Sequence, residues 1–190
     1  RIEAMGIDAL DLNMGCPAKK VVSSDHGSAL LKNPCLAIEI VEATVRGTKL
    51  PVSFKTRLGV NEINLPKIIQ FCKDLENAGA QLITLHGRTA KQSYTGLSDW
   101  NLIAEIARSL NIPVFGSGDC VEPHQAIARL EMGVSGVLVG RGALRNPWIF
   151  AQAADLAAGR PAREVTLAQR GQFLLDYIDL LITERFEEAD

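Results

Sequence analysis

Short apolar runs recur along the chain at Asp8–Asn13, Val52–Thr56, Leu82–His86, Pro113–Ser117 and Gly136–Gly140, each followed by turn residues and then a helical pattern. Pro34–Arg46 carries Leu36, Ile38, Ile40, Val41 and Val45, and Leu65–Ala78 carries Ile68, Ile69, Phe71, Cys72 and Leu75. Both spacings set an apolar stripe on one helical face, and Asn101–Leu110 and Pro123–Met132 repeat the pattern. Gly79 and Gly133 fall where helices should end, while Pro51 and Pro113 open the strands that follow. The unit is therefore βα, which packs helices over a parallel sheet.

Periodicity alone fits either an open doubly wound sheet or a piece of an eight-stranded βα barrel. The barrel is favoured because polar residues close every strand: Asn13 and Cys16, Lys55 and Arg57, His86 and Arg88, Ser117 and Asp119, then Arg141. A ring of βα loops would bring them to one mouth. A complete barrel takes about 250 residues and eight strands, so the expected fold is α/β, a partial TIM (βα)8 barrel holding about strands 4 to 8 and truncated at its N-terminal side. Beyond Gly140-Arg141-Gly142, Ala143–Ala158 reads as one helix, Gly159-Arg160-Pro161 as a break and Thr166–Glu184 as a second amphipathic helix. Residues 1–158 are thus expected to be barrel, and residues 159–190 the start of a helical domain.

Composition narrows the class. The chain has 190 residues, a net charge of −2, 47% hydrophobic and 22% charged residues, the balance of a globular domain. No run suits a membrane span, and Arg1-Ile2-Glu3-Ala4-Met5 lacks the order of a signal peptide, so a cytoplasmic protein with no membrane partner is expected. A pI near 6.0 excludes coating of nucleic acid by bulk charge but leaves room for a local basic patch. The four cysteines show no Cys-x-x-Cys pair, and no metal-ligand spacing or hydrolytic triad stands out. Cys35 and Cys72 lie on apolar helix faces and read as core, and Cys120 stays undecided.

Cys16 differs. It sits in the turn Asn13-Met14-Gly15-Cys16-Pro17, with Lys19 and Lys20 just beyond, where one thiol can face the mouth. Lys55 and Arg57 alternate on one strand and so share its inner side, where two cations are costly unless an anion or polar ligand meets them. His86-Gly87-Arg88-Thr89 adds to the same rim. Gly116-Ser117-Gly118-Asp119 and Val139-Gly140-Arg141-Gly142 are glycine-rich strand ends that can admit a phosphate or simply turn the chain.

Taken together, Asp11-Leu12-Asn13-Met14-Gly15-Cys16-Pro17, Lys55-Thr56-Arg57, His86-Gly87-Arg88-Thr89, Gly118-Asp119 and Gly140-Arg141-Gly142 resemble the tRNA-dihydrouridine synthases, over about Met5 to Phe150. Ala18-Lys19-Lys20-Val21 and Gly27-Ser28-Ala29-Leu30-Leu31 are most similar to the bacterial branch. The resemblance implies an FMN-bearing barrel followed by a helical domain that reduces particular uridines of tRNA, with NADPH as electron donor. By the same resemblance Cys16 is the general acid that protonates carbon 5 of uracil, a role that suits a thiol because it is mostly protonated near neutral pH. Asn13 and Arg57 would hold the uracil, and Lys55 and His86 would contact the flavin ring. Gly118, Asp119, Gly140 and Arg141 would take the FMN phosphate, and Lys19, Lys20 and Arg88 would meet tRNA phosphates. Ser117 stands where the family usually has Asn. A five-stranded piece is expected to be inactive alone, and the complete protein to be a monomer. The competing readings are an FMN-barrel reductase of a free small molecule, of dihydroorotate or enoate type, and an inert remnant. The Asn-x-Gly-Cys-Pro order with its two lysines speaks against the first, and the intact polar set against the second.

Overall fold

The computed structural model describes residues 3–187. Strands β1 (Leu10–Met14), β2 (Val52–Arg57), β3 (Leu82–His86), β4 (Val114–Ser117) and β5 (Gly136–Leu138) form one parallel sheet in chain order. Helices α1 (Lys19–Val22), α2 (Pro34–Gly47), α3 (Leu65–Asn77), α4 (Trp100–Arg108) and α5 (Pro123–Leu130) fall between them, and α6 (Arg141–Arg145), α7 (Ile149–Ala157) and α8 (Leu167–Glu187) follow. The four crossovers carry the expected βα repeat. α1 and a 3-10 segment over Gly27–Lys32 lie in a stretch for which the hydrophobic pattern predicted nothing.

Register explains why the two faces of the sheet differ. Asn13 pairs with Lys55 and Lys55 with Thr84, while Arg57 pairs with His86 and His86 with Ser117. Residues in register share a face, so these polar side chains line one side together. The opposite side presents Met14, Phe54, Ile83, Leu85 and Val114 to Val41 of α2, Phe71 and Leu75 of α3 and Ile103 and Ile106 of α4 in one buried cluster. Burying such a side chain is worth roughly 1.5–3 kcal/mol, so stability sits on the helix side and the inner face is left free for polar chemistry.

Helix starts follow from capping. The side chains of Asn33, Asn64 and Asp99 accept the N–H groups of Leu36, Lys67 and Leu102, which satisfies donors that the first turn leaves orphaned. α5 opens on a capping box between Glu122 and Gln125.

Three expectations are corrected. Ala143–Ala158 is two helices, α6 and α7, because Pro147 cannot donate to a helical ladder and bends the chain at Asn146-Pro147-Trp148. Cys35 is exposed, since it stands in the first turn of α2 before the helix meets the core, whereas Cys72 is fully buried as expected. The second amphipathic helix begins at Leu167, with Thr166 and Gln169 exchanging bonds at its start, and its apolar residues Leu174, Tyr177, Ile178 and Leu181 remain exposed. Trp148 meets it through Phe173, with ring centroids 5.4 Å apart. Residues 188–190 of the expected helical domain lie outside the described residues.

Candidate active site

The thiol is presented by a turn that the sequence builds locally. Asn13 Oδ1 accepts the N–H groups of Gly15 at 3.2 Å and Cys16 at 3.0 Å, so this side chain turns the backbone as β1 ends. The Cys16 carbonyl accepts the N–H of Ser28 at 2.9 Å, and Cys16 itself is half-buried. Asn13 thus shapes the turn with its oxygen and keeps only Nδ2 for any substrate. Gly27 makes the closure possible: its φ is +59°, and a Cβ there would stand 2.6 Å from the Cys16 carbonyl oxygen. Gly27→Ala is therefore expected to cost about 1–2 kcal/mol for the left-handed backbone alone. The measurement is thermal unfolding, with a Tm lower by roughly 2–8 °C, alongside alkylation of Cys16. An unchanged Tm and unchanged thiol reactivity would show that the turn does not need this glycine.

The inner face beside the turn is cationic. Arg57 is 5% exposed, and it donates through Nε to Gly15 O at 2.9 Å and through Nη1 to Thr89 O and Ser93 O at 3.0 Å each. Its Nη2 makes no hydrogen bond among the described residues, and the residue lines a cavity. Lys55, half-buried beside it, has its pKa lowered first by burial and then by the Arg57 charge. Burial and the charges of Arg57, Lys55 and Arg88 lower the His86 pKa to about 4, which keeps this ring neutral at neutral pH. Arg88 Nη1 lies 3.5 Å from His86 Nε2 and can only donate, so Nε2 accepts and Nδ1 carries the proton toward Ser117 Oγ at 3.3 Å.

Arg88 requires a correction. It was expected at the rim, meeting RNA phosphates, but it is 2% exposed. Gly87 turns its side chain inward, where Nη2 meets both Asp119 carboxylate oxygens at 2.6 and 2.8 Å. Asp119 is correspondingly not offered to an anion. Arg88, the Ser98 N–H and Arg141 hold its pKa down against the cost of burial. Its second partner, Arg141 Nη2 at 3.2 Å, stays largely exposed. Gly118, with φ +123°, packs where a Cβ would strike the Ser98 hydroxyl, which explains why the strand end needs glycine there.

These groups enclose a cavity of about 190 Å³ lined by Lys55, Arg57, His86, Ser117, Gly140 and Arg141, among others. Lys55, Arg57 and Arg141 bring three cations to its wall. The one carboxylate there, Asp119, is already held by buried Arg88. The excess positive charge defines an anion site. Sequence reasoning missed Tyr94, whose ring lies 4.7 Å beneath the Arg141 guanidinium and lines the same cavity. A lone aromatic in a polar loop gives no periodic signal. Lys19 and Lys20 stand exposed on α1, apart from this cavity. A larger hollow of about 680 Å³, between Leu31, Leu58 and Phe71, holds none of the expected site residues. Among the described residues no cluster could hold a metal ion, and no helix is long and apolar enough to cross a membrane.

The fold is shared with a phosphonopyruvate hydrolase at a TM-score of 0.55 and 15% identity, covering 98% of this chain and 78% of that one. Sequence similarity is more specific. A probable tRNA-dihydrouridine synthase of Rickettsia conorii is 45% identical over 79% of this chain and 45% of its own length. That of Rickettsia prowazekii is 37% identical over 95% and 55%. A probable tRNA-dihydrouridine synthase 1 of Synechocystis is 38% identical over 94% and 50%. The chain therefore spans about half the length of the curated relatives it matches. The family model described as "Dihydrouridine synthase (Dus)" matches residues 1–188, and with five parallel strands of a TIM-barrel sheet carrying the motifs, the chain belongs to the dihydrouridine synthase family.

Proposed function

We propose that this chain is the part of a tRNA-dihydrouridine synthase that holds the proton donor and the flavin phosphate, in a cytoplasmic protein that reduces particular uridines of tRNA to 5,6-dihydrouridine. The observation that carries this reading is the anion cavity on the strand ends next to the Cys16 turn. The cavity fits FMN on its own chemistry: Lys55 and Arg57 Nη2 have no hydrogen-bond partner among the described residues, and Gly140 leaves open space where a side chain would stand. FMN, when bound and reduced by NADPH, supplies hydride to carbon 6 of the uracil. The chain supplies the rest. Cys16 holds a proton at Sγ and gives it to carbon 5, so one hydride and one proton saturate the double bond. Asn13 Nδ2 and Arg57 Nη2 are the donors left over to orient the base. Lys55 brings positive charge and Ser117 a hydroxyl to the flavin side, and His86 acts there as a neutral dipole. The backbone of Gly118 and Gly140, together with Arg141, receives the phosphate, and Asp119 positions that guanidinium. Lys19 and Lys20 meet tRNA phosphates beside the turn.

The test is made in a protein of the family's full length that carries this chain. With NADPH it is expected to form dihydrouridine in an unmodified tRNA pool. Arg141→Ala should weaken flavin binding about 10- to 100-fold, the worth of one charge-assisted hydrogen bond, as read from bound-flavin absorbance. Unchanged flavin affinity removes Arg141 from the phosphate site. Reduction of free uracil or orotate in place of tRNA assigns the protein to the small-molecule reductases.

A further inference from the structure

A second cleft, of about 240 Å³, adjoins the Cys16 turn at Pro17 and lies between Ser28, Lys32, Asn61 and Lys91. It is built from the loops that follow β1, β2 and β3, so it opens at the same end of the sheet as the thiol. Its walls are fixed: Ala90 N–H donates to Gly59 O at 2.9 Å and Lys91 N–H to Val60 O at 2.8 Å, which ties two of the three loops together. Lys32 and Lys91 pair with no carboxylate among the described residues. Asp25 shares an adjoining hollow with Lys32 and Glu62 lines another, but neither carboxylate forms an ion pair with either lysine. Ser28 lines the cleft as well. Its N–H is committed to the Cys16 carbonyl, and its hydroxyl makes no hydrogen bond among the described residues and is not a fully buried atom, so it is open to a ligand.

The geometry points to a phosphate site: the cleft takes a backbone phosphodiester of the RNA, next to the nucleotide whose base reaches Cys16. Two ammonium groups and a hydroxyl suit a phosphodiester, and Ser28 links the cleft through one hydrogen bond to the backbone of Cys16. A base delivered to the thiol leaves its sugar and phosphate on the rim, and this is the rim's cationic pocket with no acid in its lining. The assignment rests on the proposed tRNA reading and deepens it. It adds Lys32, Lys91 and Ser28 to the Lys19 and Lys20 of the motif reading, while Arg88, also expected to meet RNA phosphates, is buried against Asp119.

The experiment is a filter-binding titration of unmodified tRNA across salt concentrations, using the protein of family length and its Lys32→Ala/Lys91→Ala variant. Losing two contacts to a looped strand should flatten the slope of log affinity against log salt by about 1.4, with affinity weakened at least tenfold near physiological salt. Ser28→Ala should weaken binding without changing the slope, and Lys32→Arg/Lys91→Arg should keep it. Flavin content and the rate of flavin reduction by NADPH are measured in parallel to report folding and to test the other phosphate source. An unchanged slope in a double-alanine variant with full flavin content overturns the assignment. So does a slowed flavin reduction with the tRNA slope retained, which would give the cleft to the phosphates of NADPH. A parent protein that neither binds tRNA nor forms dihydrouridine overturns the functional reading and this site with it, whereas an active parent with an unchanged variant slope overturns the cleft alone.

Discussion

Cys16→Ala in the protein of family length is expected to leave flavin reduction by NADPH intact and to cut dihydrouridine formation by about 10²–10⁴, the usual contribution of a positioned general acid. The substitution is clean because the turn is held by backbone and by Asn13. Gly15 and Cys16 N–H still reach Asn13 Oδ1, and Ser28 N–H still reaches the carbonyl at position 16. No neighbour replaces the proton. His86 is neutral near pH 7, and its Nδ1–H is directed to Ser117 Oγ. Single-turnover kinetics separate the half-reactions. Loss of flavin reduction together with uridine reduction would make Cys16 a structural residue, and retention of both would remove it from the chemistry.

What was legible in the sequence divides by physical cause. The alternation in Val52–Arg57 placed Lys55 and Arg57 on one face because a strand's period of two is set by covalent geometry, and the register with His86 and Ser117 bears that out. The direction of a side chain just past a strand end is not so constrained. Arg88 follows Gly87 and turns into the protein, and nothing in the local pattern signals that Asp119, 31 residues later, is its partner. Asn13 and Arg57 were read as ligand donors, and both spend most of their bonding on backbone, a demand created by the turn and by the loop holding Ser93. Ala143–Ala158 read as one helix because its apolar residues continue across Asn146-Pro147, where the proline should have decided the boundary. Lys32 and Lys91 were silent. They lie in separate segments, the 3-10 segment Gly27–Lys32 and the loop after β3, and the ties of Ala90 to Gly59 and of Lys91 to Val60 fix the loop that brings Lys91 to the cleft.

Asp119→Ala is expected to be the most destabilising single change in the site, by about 3–5 kcal/mol, the usual cost of stranding one partner of a buried pair. Arg88 is 2% exposed, and without the carboxylate its guanidinium keeps only the carbonyls of Thr95 at 3.1 Å and Gly96 at 2.6 Å and the neutral His86 ring. None of these carries a compensating charge. The Ser98 N–H, 2.8 Å from Asp119 Oδ2, loses its acceptor as well. Thermal unfolding should show a Tm lower by roughly 6–20 °C. The double variant Arg88→Met/Asp119→Leu should recover most of that loss, because a buried ion pair replaced by apolar side chains of similar size is often neutral. Acid should act on the same cluster. The folded pKa of His86 lies at about 4, below its unfolded value, so the unfolded chain binds the extra proton and stability falls as pH drops from about 6.5 toward 4. Asp119, whose pKa is also lowered, contributes stability above the ordinary carboxylate pKa of about 3.9 and loses it as pH falls through its folded value, so both groups weaken the fold on the acid side. Removing Asp119 takes away the one charge that raises the His86 pKa, so the histidine-driven loss in Asp119→Ala should begin near the same pH and continue further into acid. A Tm within a degree of the parent protein, or no recovery in the double variant, would mean that the pair is not what holds this strand end together.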